Sequence, residues 1–347
     1  MRKLLLLVLF CLFHLNVKGQ KRNTPPNVII VITDDQGYGD LGAHGNNIIK
    51  TPALDAFYNN AIRLTNFHVS PTCAPTRAAL MTGRYANRTG VWHTIGGVSI
   101  LREDEKTIAQ VLKENGYKTG LFGKWHLGDN YPSRPHDKGF DRAIYHGAGG
   151  VGQTPDYWGN DYFDDTYFVN GNPTKFKGYC TDVWFNEAIK FIDKNKNHPF
   201  FCYISTNAPH SPLNVPQEYY DIYKNMDIPE FQKKFYGMIT NIDDNFNLLV
   251  KHLKKQKLYD NTILIFMTDN GTAWGYKKLG NKEYGYNASM RGIKNSEYEG
   301  GHRVPFLISF PIGNIGAGKD INELTAHIDV LPTLIQLCQI PVENSKI

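Results

Sequence analysis

Apolar residues recur along the chain in two rhythms. The first is the unbroken run. Asn27 to Thr33 reads Asn-Val-Ile-Ile-Val-Ile-Thr, and Thr262 to Thr268 reads Thr-Ile-Leu-Ile-Phe-Met-Thr. Runs without polar alternation, rich in β-branched side chains, suit strands buried on both faces of a parallel sheet. Phe200 to Ser205 is a third such run, and Tyr117 to Phe122 and Val304 to Phe310 predict two further strands. The second rhythm has spacings of three and four. Phe235, Ile239, Ile242, Phe246, Leu249 and Leu253 predict the longest helix, over Phe231 to Gln256. Ile108, Val111 and Leu112 predict a helix over Thr107 to Glu114, stopped by Asn115-Gly116. Val183, Trp184, Ala188, Phe191 and Ile192 predict another over Thr181 to Asn195, with Thr181 as N-cap. Asp329 to Leu337 predicts a short one. A further short helix follows Cys73, because Pro75 suits a first turn and Gly83 a C-terminal stop. Strands and helices in this order predict an α/β fold, a large and mostly parallel central sheet with helices on both faces.

Two stretches keep neither rhythm. Tyr145 to Tyr179 is long, aromatic and rich in Gly and Asp, and reads as loops with a hairpin around Asn170-Gly171. Its aromatic faces could line a sugar-binding cleft, or the loop could pack on its own rings. Gly271 to Tyr286 reads as a loop at the rim of the sheet.

Composition narrows the class. The chain has 347 residues, 41% hydrophobic and 20% charged, enough for one large domain. Arg2 and Lys3, the apolar run Leu4 to Leu15, and Val17-Lys18-Gly19 form a secretory leader over residues 1–19, whose apolar run is too short for a comfortable membrane span; an uncleaved anchor is the alternative. The expected division is thus a signal peptide at 1–19 and a single catalytic domain at 20–347, exported to the periplasm or secreted. Without Arg2, Lys3 and Lys18 the 38 basic residues become 35 against 33 acidic, a net of +2. So small an excess argues against a nucleic-acid partner. Cys180, Cys202 and Cys338 spell neither a disulfide framework nor a metal cluster. One pair could bridge, and spacing does not choose which.

Chemistry is concentrated at the strand ends. The first run ends in Asp34-Asp35 and the run at Thr262 in Asp269-Asn270. In open α/β sheets ligands bind outside the carboxyl ends of strands. Three carboxylates and an amide brought together there need a cation. Oxygen-only ligands suit Ca²⁺ or Mg²⁺, not zinc. Each pair alone would be an ordinary solvated turn. Cys73 lies just ahead of its helix, where free N–H groups and the dipole favour an anion, and Arg77 adds a fork-shaped cation four residues on. After the strand at Tyr117 come Lys124, a fixed cation, and His126, which can titrate near neutrality. After Phe200 to Ser205 come Ala208-Pro209-His210, and Pro212 stiffens the loop that carries His210.

Cys73-Ala74-Pro75-Thr76-Arg77, continuing to Met81-Thr82-Gly83, resembles the signature of the type I sulfatases, in which this cysteine is oxidised after translation to Cα-formylglycine. Gly116-Tyr117-x-Thr119-x-x-Phe122-Gly123-Lys124-Trp125-His126 resembles the second signature, departing at Phe122, where a smaller residue is usual. Arg291-Gly292-Ile293-Lys294 ahead of Tyr298-Glu299-Gly300-Gly301-His302-Arg303-Val304-Pro305 resembles a third family arrangement. The resemblance implies an alkaline-phosphatase-like fold and hydrolysis of sulfate monoesters. It implies a divalent metal, Ca²⁺ first and Mg²⁺ second, held by Asp34, Asp35, Asp269, Asn270 and residue 73. It makes hydrated formylglycine 73 the nucleophile, with Arg77, Lys124 and Lys294 on the sulfate, His126 taking a proton and His210 protonating the leaving group. It implies a formylglycine-generating enzyme as partner and a sulfated small molecule or glycan, here a sulfated carbohydrate, as substrate. Sulfatases continue into a smaller C-terminal subdomain, so a chain ending at Ile347 is expected to carry the larger domain alone, as a truncated or a short member. Two other readings remain at this point: a phosphomonoester or phosphonate hydrolase of the same superfamily, and a non-catalytic glycan-binding protein with Cys73 unmodified.

Overall fold

The computed structural model describes residues 24–341, so the leader at 1–19 lies outside the described residues. In chain order the elements are β1 Asn27–Thr33, α1 Pro52–Asn60, β2 Ile62–Leu64, β3 Phe67–His68, α2 Cys73–Thr82, α3 Ile108–Glu114, β4 Lys118–Lys124, β5 Arg142–His146, β6 Thr166–Val169 and β7 Asn172–Lys175. They continue with α4 Cys180–Asn195, β8 Phe200–Ser205, α5 Gln217–Asp221, α6 Glu230–Lys255, β9 Thr262–Thr268, β10 Tyr276–Leu279, β11 Lys282–Gly285, α7 Glu299–His302, β12 Phe306–Ser309, β13 Asp320–Ile321, β14 Thr325–Ala326 and α8 Val330–Leu337.

One ten-stranded sheet runs in the order β13-β2-β12-β9-β1-β8-β4-β5-β6-β7. Its centre, β9-β1-β8-β4-β5, is parallel. On one side β12 is antiparallel to β9, and on the other β6 and β7 form an antiparallel hairpin. The α/β sheet with helices on both faces is therefore as the hydrophobic pattern predicts. Every residue of β1, β8 and β9 is buried, which is why these segments show no polar alternation. Alternate residues of β1 serve opposite layers. Val28, Ile30 and Ile32 join the cluster with Ala78, Ile108, Val111 and Leu334, from α2, α3 and α8. Ile29 and Val31 join the one with Leu54, Trp184, Ile242 and Phe246, from α1, α4 and α6. Cutting any of the β1 isoleucines to Ala would cost about 2–5 kcal/mol.

Helix starts follow from local chemistry. Thr107 caps α3, its hydroxyl accepting from the Gln110 N–H while the Gln110 side chain accepts from the Thr107 N–H. Gly83, at φ 65°, closes α2 with its N–H on the Ala79 carbonyl.

The structure departs from the sequence expectations in several places. Cys73 is the first residue of α2, not a residue ahead of it, and Pro75 is its third. β4 runs on through Gly123 and Lys124, so Lys124 is a strand residue, not a loop residue. Gly271 to Tyr286 contains the antiparallel hairpin β10–β11. Its residues are mostly exposed, so no apolar pattern marks them as strand. Asn170-Gly171 does turn a hairpin, and that hairpin joins the main sheet. Most aromatics of Tyr145 to Tyr179 pack on one another: Tyr162, Tyr167 and Tyr179 are buried, whereas Trp158 is 95% exposed. No disulfide forms among the described cysteines Cys73, Cys180, Cys202 and Cys338. No helix among the described residues is long and apolar enough to cross a membrane.

Candidate active site

Four neighbouring parallel strands end level, and that places the site. Thr33 of β1 is in register with Thr268 of β9, Ile32 with Ser205 of β8, and Ser205 with Gly123 of β4. The residues that follow emerge together although Asp35 and Asn270, for example, are 235 positions apart in sequence. These are Asp34-Asp35, Asp269-Asn270, Lys124, and the turn carrying His210. Gly123 makes the level ending possible. Its φ is 113°, and a Cβ there would lie 1.9 Å from the Ser205 carbonyl oxygen. The first turn of α2 faces these ends, bringing Cys73 and Arg77.

Each carboxylate has its own cation. The Lys124 ammonium lies 2.6 Å from Asp34, the Arg77 guanidinium 2.7 Å from Asp269, and the Lys294 ammonium 2.6 Å from Asp35. This modifies the argument from repulsion, since protein cations already balance the three acids. The case for a metal rests instead on two oxygens. Asp34 Oδ1 and Asn270 Oδ1 are buried without a hydrogen-bond partner, a costly state unless something else satisfies them. Asn270 Nδ2 donates to Asp35 Oδ1 at 2.9 Å, which fixes which end of the amide faces inward. One ligand atom each of Asp34, Cys73 and Asp269 lie within 4.8 Å of one another. The donor set is oxygen plus whatever residue 73 presents, and it fits a hard divalent cation. A dication added to three balanced pairs would leave the pocket positive, as an anionic ester requires.

Titration behaviour follows from burial and these pairs. Burial pushes the Asp34 pKa up, but the Lys124 ammonium, with His210 and Arg77, outweighs it and holds the carboxyl below its ordinary value. Asp269 goes the other way, because burial and the Asp34 carboxylate outweigh Arg77 and raise it. Burial would lower the Lys294 pKa, yet Asp35 keeps it well above the usual lysine value. Burial raises the Cys73 thiol, so an unmodified thiol here would be a poor nucleophile.

The two histidines are in different states of readiness. His126, at φ 59°, leaves β4 in the left-handed region, which turns its ring back towards Cys73. Its Nε2–H donates to the Thr94 carbonyl at 2.9 Å, so Nδ1, 3.4 Å from Cys73 Sγ, carries the lone pair. Burial, followed by the Lys124 charge, holds its pKa well below the ordinary value and keeps the ring neutral. His210 Nδ1–H donates to the Ser211 carbonyl at 2.7 Å, and Nε2 lies 3.7 Å from Asp35 Oδ2. The Tyr162 hydroxyl donates to the His210 carbonyl at 2.8 Å and steadies that loop.

All the residues singled out from the sequence meet here: Cys73, Arg77, Lys124, His126, His210, Lys294, Asp34, Asp35, Asp269 and Asn270. Several others escaped sequence reading. The Ser205 hydroxyl accepts from Arg77, and Thr94 contributes only a carbonyl, which no side-chain pattern announces. Gly149 packs so close to the His126 ring that a Cβ would lie 2.5 Å from it. The glycine cluster at 147–150 was a usable signal of close approach. His146, at the end of β5, is fully buried with Nε2 unpartnered.

A family model described as Sulfatase matches residues 26–340. Arylsulfatase J of Mus musculus is 31% identical over 338 residues, covering 92% of this chain and 54% of that protein. The ulvan-active sulfatase of Formosa agariphila is 29% identical over 359 residues, covering 94% and 64%. The chain thus spans little more than half of the first relative and under two thirds of the second. Among solved structures, Ps i-CgsB in complex with k-i-k-neocarrahexaose superposes with a TM-score of 0.81 at 33% identity, covering 93% of this chain and 74% of that one.

Proposed function

The chain belongs to the sulfatase family, of the type I, alkaline-phosphatase-superfamily kind, and from that premise we propose that it hydrolyses sulfate monoesters on a sulfated carbohydrate, using residue 73 after its conversion to formylglycine. The observation that carries the reading is the position of Cys73. It opens α2 within reach of a neutral histidine, beside three cations and two buried oxygens with no protein partner. Asp34, Asp35, Asp269 and Asn270, with residue 73, would hold one divalent cation, Ca²⁺ in the first instance and Mg²⁺ as the other hard-ion choice.

The cation, when bound, would neutralise charge and favour ionisation of a hydroxyl on residue 73. Hydrated formylglycine would supply one hydroxyl to attack sulfur and a second whose deprotonation restores the aldehyde. The chain's own residues do the rest. Arg77, Lys124 and Lys294 hold fixed positive charge where the sulfate oxygens lie, and no reorganisation is needed as charge develops. His126 Nδ1, with its lone pair aimed at residue 73, takes the proton of the second hydroxyl. His210 gives a proton to the leaving oxygen through Nε2. Activity on glycan is supported by relatives whose names state ulvan and a neocarrahexaose complex. A leader at 1–19 directing export, and a separate maturating enzyme, belong to the same reading.

Peptide mass spectrometry of the exported protein tests it, because conversion replaces the Cys73 thiol by an aldehyde. An unmodified thiol in protein active on sulfate esters sinks the formylglycine assignment. Higher kcat/KM on an aryl phosphate than on the matching sulfate sinks the substrate class.

A further inference from the structure

A second group of ligand-type side chains lies outside the catalytic pocket. We propose that His68, His302 and Glu299 form a site for a divalent transition ion, of which Zn²⁺ is the type. His68 is in β3, and Glu299 and His302 are in α7. One ligand atom from each lies within 4.8 Å of the others.

The hydrogen bonds of the two rings carry the argument. His68 Nε2 is 2.8 Å from Asn66 Oδ1, and His302 Nε2 is 3.1 Å from the Glu297 carbonyl. Each contact needs an N–H on Nε2. In neutral rings both lone pairs are then on Nδ1, and the two Nδ1 atoms face each other at 2.9 Å. Two lone pairs so placed repel unless a cation lies between them. An Nε2–H fixed by an oxygen acceptor, with Nδ1 free, is also how metal-ligating histidines are oriented. Zn–N bonds of about 2.0–2.1 Å at a tetrahedral angle put the nitrogens about 3.3 Å apart, so a small opening admits the ion. The Glu299 side chain is exposed and can swing in. Its present partner is Arg303 at 3.4 Å, which the Thr65 carbonyl holds independently at 2.7 Å.

Imidazole donors separate this site from the oxygen-lined one, and Ca²⁺ would not compete for it. Its location gives it work to do. His68 is five residues before Cys73 and His302 eight after Lys294. An ion there would clip together the two segments that carry a catalytic position and a sulfate-side lysine, already joined by the Val69 N–H on the His302 carbonyl at 2.9 Å. Such a clip would raise thermal stability with no role in the reaction.

The test uses full-chain protein saturated with Ca²⁺ and titrated with Zn²⁺ by calorimetry, then with Co²⁺ by visible absorption. The expected results are one equivalent of Zn²⁺, a tetrahedral Co²⁺ band, and a Tm raised by a few degrees. His302→Val and His68→Asn should each raise the Zn²⁺ Kd at least tenfold and abolish the band, with Tm unchanged in EDTA. The competing arrangement has the Asn66 amide turned over, so that it donates to His68 and a neutral pair shares one proton. It predicts no such band. Absence of binding, or binding unchanged in both variants, overturns the proposal. Neither outcome touches the sulfatase reading, which sulfate release by the same samples reports separately.

Discussion

The floor and the rim of the pocket are built on opposite plans. On the floor, Asp34, Asp35, Arg77, Lys124, Asp269 and Asn270 are each no more than 2% exposed, and every charge faces a partner. At the rim, a cavity of about 750 Å³ runs from Lys294 past Thr94 to Tyr85, Trp92, His93 and Asn295. Tyr85 and Trp92 there are 67% and 58% exposed. Buried paired charge is expensive to assemble and holds its geometry, because removing one partner strands the other. Exposed aromatic and amide groups hold little geometry but offer apolar faces and hydrogen bonds to whatever lies on them. On the proposed reading the difference divides the labour: the floor would fix the reaction, and the rim would choose the substrate. Substitutions below should therefore change kcat, and substitutions above should change KM.

The largest break comes at residue 73. Cys73→Ser keeps a hydroxyl but has no second one, so a sulfate bound to it cannot be expelled by return to an aldehyde. The expected outcome is at most one turnover per molecule, read as a burst of one equivalent of the alcohol leaving group, with the sulfate retained on residue 73 and no steady state. Sustained turnover by this variant would sink the formylglycine route. Next in size is His210→Ala. Losing a general acid costs about 10²–10⁴-fold where the leaving group needs a proton. The loss should appear on alkyl sulfates and be small on aryl sulfates, whose leaving groups depart as stable anions. Equal losses on both would remove His210 from the acid role.

The same division explains what could be read from sequence. The floor was legible because burial on both sides leaves β1 and β9 as unbroken apolar runs that each end in a pair of oxygen-bearing residues; either pair alone reads as a solvated turn, and it took both pairs together with the Cys73 motif to mark a site. The helices α3, α4 and α6 were legible for a different reason: each buries one face, which leaves apolar residues at spacings of three and four. α1 was not, since Pro52–Asn60 buries only Leu54 and Phe57, too few positions for a visible period. β10 and β11 are exposed hairpin strands with no apolar face. Thr94 acts through its backbone. The pairing of each acid with its own cation was also invisible, because Lys294 meets Asp35 only through the return of the chain after β9.

A smaller test sharpens the cost of burial at the floor. His146 lies fully buried beside Lys124, and burial lowers its pKa to about 4 from the ordinary 6.5. The unfolded chain therefore binds this proton between pH 6.5 and about 4 while the folded one does not, and stability falls as pH drops through that window. By pH 5 the loss from this ring alone is about 2 kcal/mol. His146→Gln should flatten denaturant-derived stability between pH 7 and 5 by that amount. An unchanged slope would show that His146 is not what makes the floor acid-sensitive.

The smallest expected effect tests the rim. The Trp92 ring lies on the cavity that ends at Lys294, and more than half of its surface meets solvent. A sugar bound with its sulfate near Lys294 would reach the indole, and an aromatic face of this kind contributes roughly 1 kcal/mol of contact beyond simple area. Trp92→Ala should therefore raise KM about fivefold on a sulfated oligosaccharide and leave kcat within twofold, since a factor of ten needs about 1.4 kcal/mol. A small aryl sulfate, too short to reach Trp92, should show neither change. A fall in kcat on both substrates with KM unchanged would mean that the rim and the floor are one unit, and the division of labour would fail at its outermost residue.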